Sequence, residues 1–232
     1  MKGFLTLVLS GLLTITACAF GSRAGEAKSN RDVTEFTGLD VGTGIRTNVV
    51  MGDSCTATVS APADVIDYIV TEVKNGTLFV YWKKKTDIKW LDRVEVNVTA
   101  VSLNRIKTSS GGIVTTDTIN ADILTLAASS GSQLDVLTRA NTVVAKASSG
   151  ATIKVIGNAQ KANLDVSSGA RIKGDQLKTA EAEVKASSGA GVTTNVSGRL
   201  DAEASSGGRI RYAGTPTNAM VTAHSGGSVT RL

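Results

Sequence analysis

The sequence has few of the residues on which metal chemistry and acid–base catalysis depend. Its 232 residues include one histidine, two cysteines and two prolines, and aromatic residues make up 4%. A single histidine excludes most histidine-based metal sites and catalytic triads. The scarcity of proline, together with 41% hydrophobic residues, argues against a disordered chain. A core built around aromatic rings is excluded as well, so packing must depend on small and aliphatic side chains.

Recognisable catalytic and cofactor motifs are also missing. The chain has no glycine-rich phosphate loop, no zinc-type cysteine and histidine spacing, no nucleophile elbow and no aspartate-bearing calcium repeat. The 25 basic and 20 acidic residues give a formal charge of +5 and are interspersed along the chain, which argues against a nucleic-acid partner. The sequence therefore predicts no cofactor, no metal site and no catalytic residue.

Residues 1–17 are typical of a secretory signal peptide. The apolar run over residues 3–16 is shorter than the roughly 20 residues that a membrane-spanning helix needs. It leads into Ile-Thr-Ala-Cys, which resembles a bacterial lipobox and predicts that Cys18 is acylated and attaches the mature protein to a membrane. The alternative is ordinary cleavage after Ala19, which would leave a soluble protein beginning at Phe20.

The segment over residues 18–32 is rich in glycine, serine, alanine and charge, and it predicts a flexible tether. The folded part is expected to begin near Val33. Under either route of processing Cys55 is the only free thiol, so no intramolecular disulfide is expected. The alternating apolar neighbours of Cys55 predict a buried position on a strand.

The strongest signal in the chain is an internal repeat. Ser-Ser-Gly occurs six times beyond residue 104 and His-Ser-Gly once, and successive copies are 18 to 20 residues apart. The glycines that end the seven copies are Gly111, Gly131, Gly150, Gly169, Gly189, Gly207 and Gly226. Such a period predicts that residues 104–232 form a stack of equivalent coils.

Around each motif, apolar and polar residues alternate. Counted from the second serine, the positions four before and four after are apolar in all seven copies, as in Leu126 and Leu134. The positions two before and two after are almost all small. Period two is the signature of a strand with one buried face. The sequence therefore predicts an all-β fold, a parallel β-helix or β-solenoid with coils of about 19 residues.

The motif itself leads to further expectations. Its glycine predicts either a special backbone conformation or a close approach that excludes a Cβ at one corner of every coil. Period-two parity, continued through the motif, places the second serine inside, where its hydroxyl would need a partner in a neighbouring coil. A serine nucleophile in every copy is disfavoured, because His224, expected to be exposed, cannot serve seven copies as a general base.

Residues 33–103 lack the motif and predict an irregular, strand-rich N-terminal section of the same domain. Within this section Asn75-Gly76 predicts a tight hairpin turn, because both residues accept the positive φ angles that such a turn requires. The segment over residues 62–69 predicts a short helix or an irregular turn. Residues 104–232 then supply the Ser-Ser-Gly coils.

Taken in order, Gly42-Thr43-Gly44 before a strand, the Asn75-Gly76 turn, a strand over residues 94–98 and the glycine-ended coils resemble one family. It is the putative auto-transporter adhesin head domain family, also called the head GIN domain family, and the resemblance covers about residues 33–232. The resemblance implies a right-handed parallel β-helix, frequent export as a lipoprotein in Gram-negative bacteria, and no established catalytic residues. Relatives often carry more glycine in the motif, which is not expected to alter the fold.

Two groups of surface residues are candidates for ligand binding. The first, aromatic and basic, comprises Phe79, Tyr81, Trp82, Trp90, Lys83, Lys84, Lys85 and Lys89. Exposed rings stack on sugars, and lysines attract anionic polymers and lipid headgroups. The alternative is that the rings pack the N-terminal end of the solenoid while the lysines are merely solvated.

The second group is a row of basic residues that follow the motif. It comprises Lys154, Arg171, Lys173, Arg209 and Arg211. Stacked on adjacent coils at about 4.8 Å, they would form a basic strip suited to a repeating acidic polymer such as an envelope glycan. The alternative is that these charges only keep a sheet face soluble.

Together these patterns favour a non-catalytic binding scaffold, an adhesin-like lipoprotein of the cell envelope that is expected at the outer membrane. Its β-helix surface is expected to bind acidic glycans or other envelope proteins. A polysaccharide-processing β-helix enzyme is one alternative, although the regular coil lengths leave little room for the loops of a cleft. A structural protein that self-associates through the strand edges of its terminal coil is the other.

Overall fold

The structure, a computed structural model, describes residues 25–83 and 94–232. The signal peptide and Cys18 lie outside these residues. Apart from one 3₁₀ helix at Ile66–Tyr68, the described elements are strands. The first eight are β1 (Glu26–Arg31), β2 (Gly38–Val41), β3 (Arg46–Met51), β4 (Thr56–Pro62), β5 (Ile69–Lys74), β6 (Thr77–Trp82), β7 (Glu95–Ala100) and β8 (Arg105–Thr108).

The Ser-Ser-Gly region forms the remaining eight strands. They are β9 (Ile113–Ala128), β10 (Gln133–Ala147), β11 (Thr152–Val166), β12 (Arg171–Ala186), β13 (Gly191–Ala204), β14 (Arg209–Ala213), β15 (Asn218–Ala223) and β16 (Ser228–Arg231). Strands β9 to β13 are parallel neighbours in chain order, and Leu134 pairs with Val114 on one side and Ile153 on the other. The predicted β-solenoid, with about seven turns spaced by about 19 residues, is confirmed.

Each long strand contributes to two faces of the solenoid. The first half of β9 pairs with β3 and its second half with β8, while β13 pairs with β14 through its first half and β15 through its second. Outward residues on the halves that follow a Ser-Ser-Gly turn form what we call the post-turn face. Those on the halves that precede a turn form the pre-turn face. Register shifts near the middle of these strands absorb the variation in coil length.

The two apolar columns predicted from the sequence line the core. Residues four before the second serine are buried in the first six coils, and so are those four after it, as for Ile106 and Val114. Fully burying an aliphatic side chain of this size contributes about 1.5 to 3 kcal/mol. The last coil differs, because Val221 is 47% exposed and Val229 is only half-buried.

Each Ser-Ser-Gly motif forms a two-residue turn, and this overturns the prediction for its second serine. The second serines have φ between 49° and 53° and the glycines between 71° and 75°. The residue after the glycine donates its backbone N–H to the carbonyl of the first motif residue, as in Gly112 to Ser109 at 3.0 Å. This is a type I′ turn. A turn interrupts period two, so the second serine is exposed in every coil.

The motif glycine is required for its conformation and not for space. At Gly131, Gly150 and Gly169 an added Cβ would meet no atom within 4 Å. The turns are joined from coil to coil by the backbone, because each motif glycine N–H donates to the carbonyl of the second serine in the next coil at 3.0 to 3.2 Å. Close approach occurs instead two residues beyond the second serine, where a Cβ at Gly208 would collide with the carbonyl oxygen of Ala186.

The first turn of the solenoid lies well before the first Ser-Ser-Gly motif. Thr43 and Gly44 have φ values of 49° and 67°, and the Gly44 N–H donates to the Ser110 carbonyl at 2.9 Å. The Gly42–Gly44 segment is therefore an eighth copy of the turn, stacked on the seven others. It joins β2 to β3, which pair in parallel with β8 and β9.

Antiparallel strands cover the N-terminal end of the stack. Strand β4 pairs antiparallel with β7, β1 pairs antiparallel with β4, and β5 forms a hairpin with β6. The predicted Asn75-Gly76 turn joins β5 to β6 with φ values of 50° and 69°, and the 3₁₀ helix falls within the segment predicted to hold a short helix or turn. Both predictions are confirmed. Cys55, predicted to be buried, is only half-buried and packs against the core.

Strand β1 contradicts part of the predicted tether. The sequence predicts that residues 26–31 are flexible, but all six pair with β4, from Glu26 opposite Pro62 to Arg31 opposite Ala57. The Arg31 guanidinium donates to the Ile66 carbonyl at 2.8 Å and ties the strand to the 3₁₀ helix. The composition of this segment concealed a strand whose partner lies about 30 residues away. The boundary at residue 33 is therefore wrong, and residues 18–24 lie outside the described part of the chain.

Candidate binding surface

Basic residues cluster on the post-turn face of the C-terminal coils. All five predicted residues, Lys154, Arg171, Lys173, Arg209 and Arg211, are exposed and point outward. Lys154 on β11 lies directly opposite Lys173 on β12, so these two ammonium groups are neighbours in one row. The structure therefore brings the five residues onto one surface, as the repeat predicts.

The predicted strip is not continuous, however. Arg171 and Lys173 lie on β12, Arg209 and Arg211 lie on β14, and β13 runs between them. In register with the two pairs, β13 carries Gly191 and Thr193. The expectation that all five fall on adjacent coils is wrong at this point. Two basic pairs instead face each other across a coil that has no long side chain.

A depression of about 490 Å³ lies over this interruption. Its lining includes Arg171, Lys173, Arg209 and Arg211, with Gly191 and Thr193 between them. One carboxylate, that of Asp175, also lines it and accepts a hydrogen bond from the Thr193 hydroxyl at 3.1 Å. The sequence contains the signal for this feature: counting three residues beyond each second serine gives arginine, glycine and arginine in consecutive coils.

The basic side chains around the depression are not neutralised by ion pairs. Within residues 25–83 and 94–232, the salt bridges join Lys74 to Glu72, Lys107 to Asp40, Lys185 to Glu183 and Arg199 to Asp201. None involves the post-turn face, although Asp135 stands opposite Lys154 in the register. Positive charge therefore accumulates on this face towards the C-terminal coils.

The pre-turn face has the opposite organisation. Its central row reads Asp40, Lys107, Ala127, Lys146, Asp165, Lys185 and Glu203 in successive strands. Lys107 lies 3.0 Å from Asp40, and Lys185 lies 3.3 Å from Glu183. The hydrogen bond with Glu183 raises the pKa of Lys185. This row has three basic and three acidic residues, so its formal charges cancel.

The described members of the aromatic candidate group lie elsewhere, at the N-terminal end of the pre-turn face. Tyr81 on β6 is 36% exposed, and its hydroxyl donates to Glu72 at 2.6 Å. Lys74 also donates to Glu72, at 2.7 Å, and this contact together with the tyrosine hydrogen bond lowers the pKa of Glu72. The same bond to Glu72 raises the pKa of Tyr81. Tyr81 is thus held in place through its hydroxyl group and remains partly exposed.

Trp82 is mainly a packing residue. It is half-buried against the core, and its indole N–H donates to the Thr43 carbonyl at 3.1 Å. This agrees with the alternative that the aromatic residues pack the N-terminal end. Trp90, Lys84, Lys85 and Lys89 lie outside the described residues. Among the described strands, β6 pairs with β2 and β5 and with none of β11 to β14, so Tyr81 and Trp82 lie on a different surface from the basic residues of β11 to β14.

Neither the motif residues nor His224 form a reactive cluster. His224 is exposed, as predicted, and the motif glycines serve the turn ladder. In the described part of the chain no three histidine, cysteine or acidic residues are grouped as metal ligands. Nor does any helix there have the length and apolar character needed to cross a membrane.

The fold and its surfaces define a β-solenoid that presents side chains in coil-to-coil rows. The family model of the "putative auto-transporter adhesin, head GIN domain" matches residues 35–216, and the chain belongs to this family. The resemblance stated from the sequence is thereby confirmed. No curated protein matches the chain.

Solved structures share the fold across nearly their whole length. A putative adhesin from Bacteroides fragilis NCTC 9343 is 20% identical, with a TM-score of 0.84 over 90% of this chain and 98% of that one. A "putative lipid binding protein" from Parabacteroides distasonis ATCC 8503 is 16% identical, with a TM-score of 0.73 over 90% and 98%. A putative adhesin from Parabacteroides merdae ATCC 43184 is 16% identical, with a TM-score of 0.68 over 90% and 97%. At these identities the similarity shows the fold alone.

Proposed function

We propose that this protein is a non-catalytic, exported lipoprotein of the cell envelope that binds acidic glycans through the post-turn face of its C-terminal coils. The observation that carries the proposal is that Lys154, Arg171, Lys173, Arg209 and Arg211 all lie exposed on one face, and none of them forms a salt bridge there. The family and two of the three solved structures above are named adhesins, and the third is named a lipid binding protein; these names support a binding role. The signal sequence and Cys18 support export and anchoring at the outer membrane.

The physical basis of binding is electrostatic attraction on a fixed lattice. Parallel strands hold the basic residues at multiples of about 4.8 Å, so the charges are ordered without loss of backbone entropy on binding. Interactions between exposed charges are screened over about 8 Å at physiological ionic strength. Retention on an acidic polymer should therefore weaken steeply as salt is raised.

A non-catalytic role is favoured over a polysaccharide-processing enzyme by the architecture of the coils. Neighbouring coils differ by only one or two residues in length, and the turns between them are two-residue type I′ turns. Hydrolysis of a glycosidic bond canonically uses a pair of carboxyl groups held about 5 to 9.5 Å apart around the bound sugar. On the post-turn face, the charged side chains that line the depression are four cations and the single carboxylate of Asp175, so this pair is missing there.

The test is retention on an immobilised acidic polysaccharide, with two triple variants of equal charge change. Replacing Arg171, Lys173 and Arg209 by glutamine should abolish retention of the purified folded domain. Replacing Lys107, Lys146 and Lys185 by glutamine removes the same charge from the compensated pre-turn face and should leave retention nearly unchanged. Equal losses in both variants would show that only net charge matters, and unchanged retention in the first would refute the proposal.

Anchoring is tested separately on the full-length precursor. Metabolic labelling with a fatty acid should mark the wild-type protein and not a Cys18→Ala variant, because acylation requires the thiol. A wild-type protein that is exported but unlabelled and begins at Phe20 would show ordinary cleavage. The glycan-binding proposal would stand in that case, since it depends on the coils alone.

Self-association is a second candidate role, and the exposed last coil favours it. Met220, Val221 and Leu232, in and after the last strands of the solenoid, are 55%, 47% and 63% exposed. Open strand edges flanked by apolar side chains can pair with another chain. We propose that two copies meet through β15 and β16. Sedimentation showing only monomer at high concentration would contradict this.

A further inference from the structure

The depression over Gly191 combines open space with convergent positive charge. Arg171 and Arg209 stand on either side of Gly191 in one row, and Lys173 and Arg211 stand on either side of Thr193 in the next. One coil lies between the members of each pair, so their Cα atoms are two strand spacings, about 10 Å, apart. We call this feature the Gly191 notch.

The notch exists because one coil lacks a long side chain. The residues that occupy the Gly191 position in earlier coils are Gln133, Thr152 and Arg171. A long side chain here would lie between the two arginines and fill the gap. Gly191 itself has no conformational need to be glycine, since its φ is not positive and an added Cβ would meet no atom within 4 Å.

A structurally similar gap on the pre-turn face shows which property distinguishes the notch. Ala127 lies between Lys107 and Lys146, and a depression of about 260 Å³ covers this position. There, however, Lys107 is paired with Asp40, and Asp165 stands beside Lys146 in the register. The Gly191 notch is lined by four cationic side chains and by one acidic side chain, Asp175, which already accepts from Thr193; Leu232 also lies at its edge. The side chains that line the notch therefore carry an excess of about three positive charges.

This excess of positive charge favours an acidic group that carries more than one negative charge. A phosphate monoester carries about −1.5 to −2 charges at neutral pH, against one for the carboxylate of a uronic acid. Guanidinium groups also bind phosphate through paired N–H donors, a geometry that neighbouring arginines on two sides can supply. The volume of about 490 Å³ falls in the range of small-molecule sites, so it can take a sugar ring together with its phosphate.

We propose that the Gly191 notch is the specificity site of the glycan-binding face and that it takes a phosphorylated sugar unit of an envelope polymer. This inference rests on the proposed function of that face. The phosphate lies between Arg171 and Arg209 over Gly191, and Lys173 and Arg211 contribute further positive charge from the adjacent row. The remaining post-turn residues then supply attraction that does not discriminate between acidic groups.

The first experiment fills the notch without changing its charge. Gly191→Gln and Gly191→Thr place side chains where Gln133 and Thr152 occur in the same row, so both variants should fold. Ala127→Gln fills the pre-turn gap and is the matched control. Titrations of the 15N-labelled folded domain use glucose 6-phosphate and glucuronate, at a pH about two units above the second phosphate pKa of about 6.

The wild type and Ala127→Gln should bind glucose 6-phosphate at least about tenfold more tightly than glucuronate, with amide shifts centred on β12 to β14. Gly191→Gln should lose this preference, and Gly191→Thr should lose part of it. Inorganic phosphate is titrated in parallel and should bind more weakly than glucose 6-phosphate, because the sugar adds contacts.

Each contrary result points to a different error. Equal binding of both sugars by the wild type, or full preference retained in Gly191→Gln, overturns the notch while leaving the glycan-binding face intact. Equal binding of inorganic phosphate and glucose 6-phosphate overturns the sugar component of the inference. Wild-type protein that is not retained on any acidic polysaccharide overturns the proposed function itself.

Discussion

The two ends of the solenoid are covered to very different extents. At the N-terminal end, the antiparallel strands β1 and β4 lie beyond β7, and Val59 and Ala61 of β4 are fully buried. In the last coil every residue of β15 is exposed, including Val221, whose counterparts in the other coils form a buried column. The same column thus carries apolar residues from end to end, but its burial stops at the last coil.

This difference shows that a coil obtains its core from its neighbours. In a solenoid each repeat contacts mainly the repeats on either side, so the stability of the whole is close to a sum of repeat and interface contributions. A residue covered on both sides gains the full free energy of burial, and one covered on one side gains only part of it. Identical side chains therefore contribute unequally along the axis, which the following experiments can test.

The largest expected difference in stability is between a substitution in the middle of the stack and one in the last coil. Ile153→Ala removes a fully buried side chain from β11 and should lower the free energy of unfolding by about 2 to 5 kcal/mol. Val221→Ala changes a half-exposed side chain in the last coil and should cost no more than about 0.5 kcal/mol. Urea denaturation followed by circular dichroism measures both. Similar losses would mean that the last coil is covered in solution, as self-association predicts.

A second experiment concerns β1, on which the covered end depends. Arg31→Ala removes the hydrogen bond from the guanidinium to the Ile66 carbonyl and should destabilise the protein by about 1 to 3 kcal/mol. Lys28→Ala on the same strand is the control, because Lys28 is exposed, and it should have little effect. If both variants unfold like the wild type, residues 26–31 behave as the tether that the sequence predicted.

The turns allow a comparison at the level of the backbone. The N-terminal hairpin turns through Asn75-Gly76, whereas the coils turn through serine and glycine with nearly the same φ angles. Gly150→Ala should lower the free energy of unfolding by about 1 kcal/mol. The whole of this loss should come from the left-handed backbone conformation, because the added Cβ has free space. Ser149→Asn should stabilise by about 0.5 kcal/mol, since Asn-Gly suits a type I′ turn. Thermal unfolding measures both, and a loss of stability in Ser149→Asn would show that serine has another role.

The sequence predicts the contacts that repeat from coil to coil and does not predict contacts between distant segments that occur once. The columns through Leu126 and Leu134 recur every 18 to 20 residues, so their stacking followed from periodicity alone. Strand β1 was missed because its pairing with β4 occurs once and leaves no period. The inward position predicted for Ser149 failed for a local reason: two consecutive residues with positive φ reverse the chain and break the alternation on which the prediction relied.

Periodicity likewise predicts only part of the candidate site. Outward positions of the five basic residues followed from period two, and the structure agrees with them. The basic residues by themselves predict one continuous strip. The interruption at Gly191 is found only when the residue at the same position of the intervening coil is compared with Arg171 and Arg209. The absence of ion pairs on the post-turn face and their presence around Lys107 depend on side-chain distances, which no periodicity supplies.

The smallest expected effect is a pH dependence confined to the N-terminal hairpin. Hydrogen bonds from Lys74 and then Tyr81 hold the pKa of Glu72 below its usual value of 4.5. A carboxyl group whose pKa is lower in the folded state stabilises the fold above its unfolded pKa, and this contribution is lost as the pH falls through the folded pKa. Wild type should therefore be more stable than Glu72→Gln at neutral pH, and the difference should shrink below about pH 4.5. Lys74→Met removes the hydrogen bond that lowers the pKa of Glu72 most, so it should reduce the same pH dependence.

Because the carboxyl group of Glu72 is open to solvent, the effect on stability should be small and weakened by salt, and denaturation curves at several pH values measure it. A difference that grows on acidification would contradict the assignment, and one as large as that of Ile153→Ala would mean that the hairpin, and not the stacked core, dominates the stability of the covered end.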